Sequence, residues 1–322
     1  MAKNKFTETR FHDEDAAREW LEAARWPDGP VCPQCGSLKH YATKKAGRYR
    51  CGEKECRKDY TVMTKSVMER SHAGLRQWAM AFYLYAASKK GFTATQLQRA
   101  LGCQYNTAWF LHHRVMEAMR RGGLEPPLGG DGEIVEADET YYGEIPESKR
   151  RTKTARGLPF TKGGRSGPSN KRAIVALVER GGNVRSFHVP TADKDTVDRI
   201  VKDNIARESR LHTDESKLYG DASKHFAAHK SVKHSAGEYV RIEYPITGEP
   251  AETIHTNSVE GFFGIFKRGM RGNYQHCSEK NLVRYLAEFD FRYNTRNITD
   301  SERAALAVRG GENKRLTYRQ PH

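Results

Sequence analysis

No stretch of the sequence stays apolar for the roughly 20 residues that a bilayer span requires. The longest apolar run, WAMAFYLYAA, falls far short. The opening MAKNKFTETRFHDED lacks the apolar h-region of a secretory signal, so a cytoplasmic protein is expected. Cysteine is scarce, six in 322 residues, and four of the six crowd into one window. A disulfide-stapled secreted domain would spread them through a short chain, and that class is excluded. Acidic residues are outnumbered, Asp+Glu 40 against Lys+Arg 55, for a net charge of +15. Such a balance favours a polyanionic partner, with nucleic acid the commonest. A cationic membrane-surface protein would need a long basic amphipathic helix with an aromatic face, and none is visible. Internal repeats are also missing.

What remains is a globular chain, 37% hydrophobic, long enough for two or three domains. DEDAAREWLEAAR begins on acidic residues as helix dipoles prefer, and residues 1–25 are expected to form an N-terminal helix. The cysteine window occupies 26–70. Residues 71–122 carry apolar side chains at helical spacing, broken into three helices by GF and GCQ. GGLEPPLGGDG marks a linker at 123–131. Beyond it, EIVEADETYY, RAIVALVER and VRSFHVP read as successive strands, TADKDTVDRIVKDNI as a helix, SRLHTDE as a fourth strand, and the rest to about residue 300 as mostly helical. That order is α/β, so the whole chain reads as multidomain α/β. A basic insertion at 147–172 is either a solvated loop or an arm that lies along phosphates. Residues 301–322 are expected to be a C-terminal tail.

The cysteines read CPQC, fifteen residues, then CGEKEC. Two pairs, each with both sulfurs on one turn, can close a tetrahedral Zn²⁺ site through Cys32, Cys35, Cys51 and Cys56. With four protein thiolates and no open position, the zinc would be structural. Next, TATQLQRALGCQYNTAWFLHHRVMEAMRR has the form helix, short glycine-containing turn, helix. It is either a helix-turn-helix that places Tyr105, Asn106 and Thr107 against DNA, or a helical hairpin of the core. The vicinal His112 and His113 are expected at the surface or in contact with DNA.

The carboxylates carry the chemistry. Asp138 sits within a strand, where aspartate is disfavoured, and shares a face with Ile134, Glu136 and Thr140. Asp214 ends a later strand, with Asp221 as its local competitor. In HTNSVEGFFGIFKRG, Val259, Phe262, Phe263 and Phe266 gather on one side of a helix. The other side sets Asn257, Glu260, Gly264 and Lys267 in a row. Asp138, Asp214 and Glu260 form a set suited to Mg²⁺ or Mn²⁺ and to two-metal phosphodiester chemistry.

At this point the chain resembles the transposases of the IS1595 group with the ISXO2-like catalytic domain. The resemblance spans nearly all of residues 15–300. It rests on the zinc-ribbon segment CPQC…CGEKECRKDYTVMTKSVMERSH, on VEADETYYG, on LHTDESKLYG, and most of all on HTNSVEGFFGIFKRGMRGNYQHCSEKNLVRYLAEFDFRYNTR. It implies an RNase H-like mixed-sheet catalytic domain, with Asp138, Asp214 and Glu260 as metal ligands. It also implies Lys267 one seven-residue step beyond the glutamate, with Asn257 as the alternative third residue. His255 and His212 are expected to support the site or touch DNA. The wider gap from Cys51 to Cys56 departs from the usual ribbon. The implied partners are double-stranded DNA, as terminal inverted repeats and target, and further copies of the chain in a dimer or larger assembly; no membrane is implied, and the setting is the bacterial nucleoid. Rival readings are a zinc-ribbon DNA-binding regulator without catalysis and a covalent recombinase using a tyrosine such as Tyr274 or Tyr293.

Overall fold

The computed structural model describes residues 5–122, 125–144, 171–244 and 251–317. It divides into two compact units, Met1–Arg121 with Thr295–His322, and Gly122–Asn294.

The first unit opens on α1 (Glu14–Arg25), capped by the Asp13 carboxylate, which accepts from the Ala16 amide at 2.8 Å. A small antiparallel sheet follows, β1 (His40–Ala42), β2 (Tyr49–Cys51) and β3 (Asp59–Tyr60). Then come α2 (Leu75–Ala87), α3 (Ala94–Leu101) and α4 (Tyr105–Met119). α3 starts on a capping box between Thr93 and Gln96 and ends at Gly102, whose φ of 60° suits a residue without Cβ. The exposed residues of α4 are Tyr105 and Asn106 of its first turn, with Trp109 and Phe110 half-buried; from Leu111 to Met119 every residue is buried. His112 and His113 are therefore core residues, not the surface or contact residues expected. α4 packs against α2, α3 and a later helix, α8 (Asp300–Gly310), so no side of its second half is left to water. The His112 ring meets the buried Tyr85 hydroxyl, and Arg114 hands its guanidinium to the Glu69 and Leu316 carbonyls.

α8 also corrects the expectation of a tail. It begins on a Thr299–Glu302 capping box and buries Ala304, Ala307 and Val308. Its contact with α4 is close: a Cβ on Gly310 would stand 2.4 Å from the Ala118 carbonyl oxygen.

The second unit is built on a five-stranded mixed sheet of β4 (Ile134–Glu144), β5 (Lys171–Glu179), β6 (Val184–Val189), β7 (Arg210–Thr213) and β8 (Ala228–Ser231). The spatial order is β6-β5-β4-β7-β8; β4, β5 and β6 pair antiparallel, while β7 and β8 run parallel to β4. This is the RNase H-like arrangement. One face, through Val135, Ala137, Val175 and Leu177, joins Val197 and Val201 of α5 (Lys194–Asn204) in an apolar core. The other face carries α6 (Asn257–Gly269), where Tyr142 meets Phe266 edge-on at 5.6 Å and Phe266 meets Phe289 of α7 (Glu279–Asn294) at 5.3 Å. α7 is tied to β6 by Asp290, which accepts from the Ser186 amide and hydroxyl at 2.9 and 2.7 Å. A hairpin of β9 (Arg241–Glu243) and β10 (Glu252–Ile254) leads into α6.

Part of the expected linker belongs to this unit. Leu128 is buried, and its amide and carbonyl bond to Asn204 and Ala206 at 2.8 and 2.9 Å. The basic insertion lies outside the described residues except for Lys171 and Arg172, which begin β5. Among the described residues no helix is long and apolar enough to cross a membrane.

Candidate functional site

The four cysteines of the first unit come together. One sulfur from each of Cys32, Cys35, Cys51 and Cys56 lies within 4.8 Å of the others, and all are free thiols. Cys32 and Cys56 are 3.8 Å apart, Cys35 and Cys51 3.5 Å. A tetrahedral site with bonds of ~2.3 Å sets its sulfurs ~3.8 Å apart, so the donor set fits zinc. The CPQC knuckle closes on Gly36, whose φ is 77° and whose amide donates to the Cys32 carbonyl at 2.8 Å. The longer second gap is taken up by a turn, in which the Cys56 amide donates to the Glu53 carbonyl at 3.1 Å. Burial works to raise the Cys32 thiol, but bonds from the Cys35 and Gln34 amides bring it down to about 7, toward the thiolate that a metal needs.

In the second unit the parallel pairing of β4 with β7 decides which acids meet. Glu136 pairs with His212, and continuing that register by two residues sets Asp138 beside Asp214. Carboxylate oxygens of Asp138, Glu139 and Asp214 all lie within 4.8 Å of one another. Asp138 accepts from the Glu139 amide at 2.7 Å and Asp214 from the Ser216 amide at 2.9 Å. Glu139 was not anticipated. Alternation along β4 sends it to the opposite face from Asp138, yet it returns to the cluster held by the Ser216 and Tyr219 hydroxyls at 3.3 and 3.2 Å. Burial pushes the Asp138 carboxyl up to about 8, and the charges of Glu139 and Asp214 push the same way, with Glu260 adding a smaller effect. Glu139 is raised too, by burial and by Asp214. Three crowded carboxylates that raise one another form a set that a divalent cation would relieve.

Glu260 stands at the start of α6, exposed, outside that cluster. It accepts from the Thr256 hydroxyl at 2.9 Å and faces His234 at 3.6 Å. Lys267 is half-buried on the same helix; burial lowers its pKa against the opposing pull of Asp138. Asn257 is exposed, and its backbone N–H donates to His255 Nδ1 at 3.3 Å. His212 does not reach the carboxylate cluster. It is fully buried between Glu252, 3.1 Å from Nε2, and Arg180, 3.3 Å from Nδ1, and burial drives it down to about 4, so it is neutral. His255 joins the same network through Arg180 at 3.2 Å. Asp221 is drawn off by Lys194 and Lys224 at 2.6 and 2.8 Å, which hold it at about 2.

Of the two tyrosines considered as nucleophiles, Tyr274 donates its hydroxyl to the buried Glu288 at 2.7 and 2.5 Å. Tyr293 packs edge-on against Phe262 at 5.8 Å.

Residues 127–294 match the family model of the ISXO2-like transposase domain, and residues 12–59 match that of the transposase zinc-ribbon domain. The first match holds Asp138, Glu139, Asp214 and Glu260; the second holds all four clustered cysteines. No curated protein matches the chain.

Proposed function

The chain belongs to the ISXO2-like family of IS1595 transposases, with the family's zinc ribbon, and from that premise we propose that it cuts a strand at the end of a mobile element and joins the freed 3′-OH to target DNA. The observation that supports this most is the meeting of Asp138 and Asp214 within 4.8 Å. We assign these two, with Glu260 on the facing helix, as the residues that hold Mg²⁺ or Mn²⁺; Glu139 is the competing third carboxylate. Bound there, the ions would lower the pKa of an attacking oxygen and offset charge on the leaving one.

The chain's own residues do the rest. Lys267 serves as a point charge for a phosphate of the terminal strand. Gly264 lets that backbone come close: a Cβ there would touch only the Arg268 guanidinium, at 3.4 Å, so nothing inside the fold demands glycine. The exposed first turn of α4 and the zinc ribbon read the terminal repeats. Handling two ends and a target calls for at least a dimer, acting in the cytoplasm on nucleoid DNA. The tyrosine alternative finds less support, because the Tyr274 hydroxyl is committed to Glu288.

The test uses purified protein, Mg²⁺ and duplex DNA carrying the element's end. Asp138→Ala and Asp214→Ala are expected to abolish cleavage and leave end binding intact. Glu260→Ala should cost most of the activity and Asn257→Ala far less; the reverse ranking transfers the third role to Asn257. Joined donor–target product distinguishes transposition from plain nuclease action. A cleavage-competent Asp138→Ala would overturn the assignment of Asp138, and end binding with no cleavage by the native chain would leave the regulator reading standing.

A further inference from the structure

We propose that Glu136, held by Arg180, is a positioning residue that sets where α6 presents Glu260 to the Asp138–Asp214 pair. The proposal rests on the metal-dependent reading above.

Glu136 lies two residues before Asp138 on the same face of β4 and is fully buried. Ionised carboxylates are rarely tolerated there without charge pairing and hydrogen bonds. Arg180 supplies the pair, with Nε and Nη2 at 3.1 and 2.9 Å from Oε1. The remaining capacity goes to the start of α6. The Ser258 and Val259 amides donate to Oε2 at 2.7 and 3.2 Å, and the Ser258 hydroxyl donates to Oε1 at 3.0 Å.

Those amides are the second and third of the helix, and such groups have no acceptor within it. Helices usually meet them with a side chain from the preceding residue. Here that residue, Thr256, makes no such bond, and its hydroxyl turns instead to Glu260. The cap is therefore supplied across the unit by a strand 122 residues earlier in the chain. A negative charge at this end of the helix is also favoured by its dipole. Glu260 follows directly on Val259. The strand that carries Asp138 thus grips the backbone one residue before Glu260, and the spacing between the two acids is fixed through Glu136. Arg180 extends the grip by donating to the Thr253 and His255 carbonyls at 2.9 and 3.3 Å, in the segment that feeds α6.

The test measures Mn²⁺ affinity by electron paramagnetic resonance on the full chain without DNA, together with amide hydrogen exchange in α6. Glu136→Gln keeps the shape and removes the charge. It is expected to speed exchange at Ser258 and Val259 and to weaken Mn²⁺ binding ~10-fold, the scale seen when a supporting partner of a ligand is lost. In a Glu260→Ala background the same change should weaken binding no further, because its effect runs through Glu260. An equal loss in both backgrounds, or unaltered affinity in the otherwise native chain, overturns the proposal. Should Glu136→Gln not fold, Ser258→Ala removes one bond of the clamp and must give a smaller change of the same sign; no change overturns the idea equally. Asp138→Ala separates the two levels. If it leaves Mn²⁺ binding intact, the catalytic reading falls and the clamp falls with it. If it abolishes binding while Glu136→Gln has no effect, only the clamp falls.

Discussion

Asp138 shows how much a single side chain can reveal before the fold is known. An aspartate within a strand, on a face otherwise meant for burial, asks for compensation. The structure supplies the opposite, two more carboxylates, and the group is raised to about 8. The unfolded carboxyl titrates near ~3.9, so between about pH 4 and 8 the folded chain keeps a proton that the unfolded chain gives up. Stability conferred by this group is thus fullest at the acid end and declines as pH rises through that window. Thermal denaturation of the metal-free protein should show a falling midpoint from about pH 6.5 to pH 8; below that the buried His212, neutral in the fold down to about 4, contributes a slope of opposite sign. Saturating Mg²⁺ or Asp138→Asn should flatten that slope; an equally steep slope in Asp138→Asn would refute the assignment. Glu139 stayed hidden for an equally local reason: strand alternation sends neighbours apart, and only the turn with Ser216 and Tyr219 brings its carboxylate back.

Elements were legible where residue type and period agreed. The apolar stripe of α6 is buried as its spacing requires, through Val259, Phe262, Phe263 and Phe266. The ribbon was legible because thiolate chemistry leaves few alternatives at that spacing. α8 was not, because its buried face is built largely of alanine, Ala304 and Ala307, which carries little hydrophobic signal. The burial of His112 and His113 was beyond reach because it depends on the packing of α4 against other helices; the His112 ring meets Tyr85 of α2, 27 residues earlier. The ribbon itself yields a prediction. Strands β1 to β3 are short and only two of their residues, Cys51 and Tyr60, are buried, so bound metal would contribute much of their stability. A chelator of high zinc affinity should remove a single zinc and raise amide exchange across residues 32–60. Mn²⁺ binding by the second unit should persist. Full protection of the ribbon after chelation would rule out a structural zinc.

For the whole molecule the dominant fact is a charge of +15. Basic side chains that neutralise phosphates release counterions, so the affinity for DNA ends should fall steeply with salt. Between about 50 and 200 mM salt a loss on the order of 10³-fold is expected if six or more phosphates are engaged. Filter binding or fluorescence anisotropy across that range measures it. A flat salt response would argue against an extended phosphate interface.

The sequence alone determined the chemistry available to this protein: a thiolate cluster for zinc, a basic surface for a polyanion, and acids placed on strands and a helix. Those follow from residue type and short spacings, which no packing can alter. Tertiary structure alone decided which acids meet, because strand pairing joins positions that no local pattern connects. The register of β4 with β7 set Asp138 beside Asp214, while Glu260 stands at the start of α6 outside that cluster and Glu136 caps the same helix.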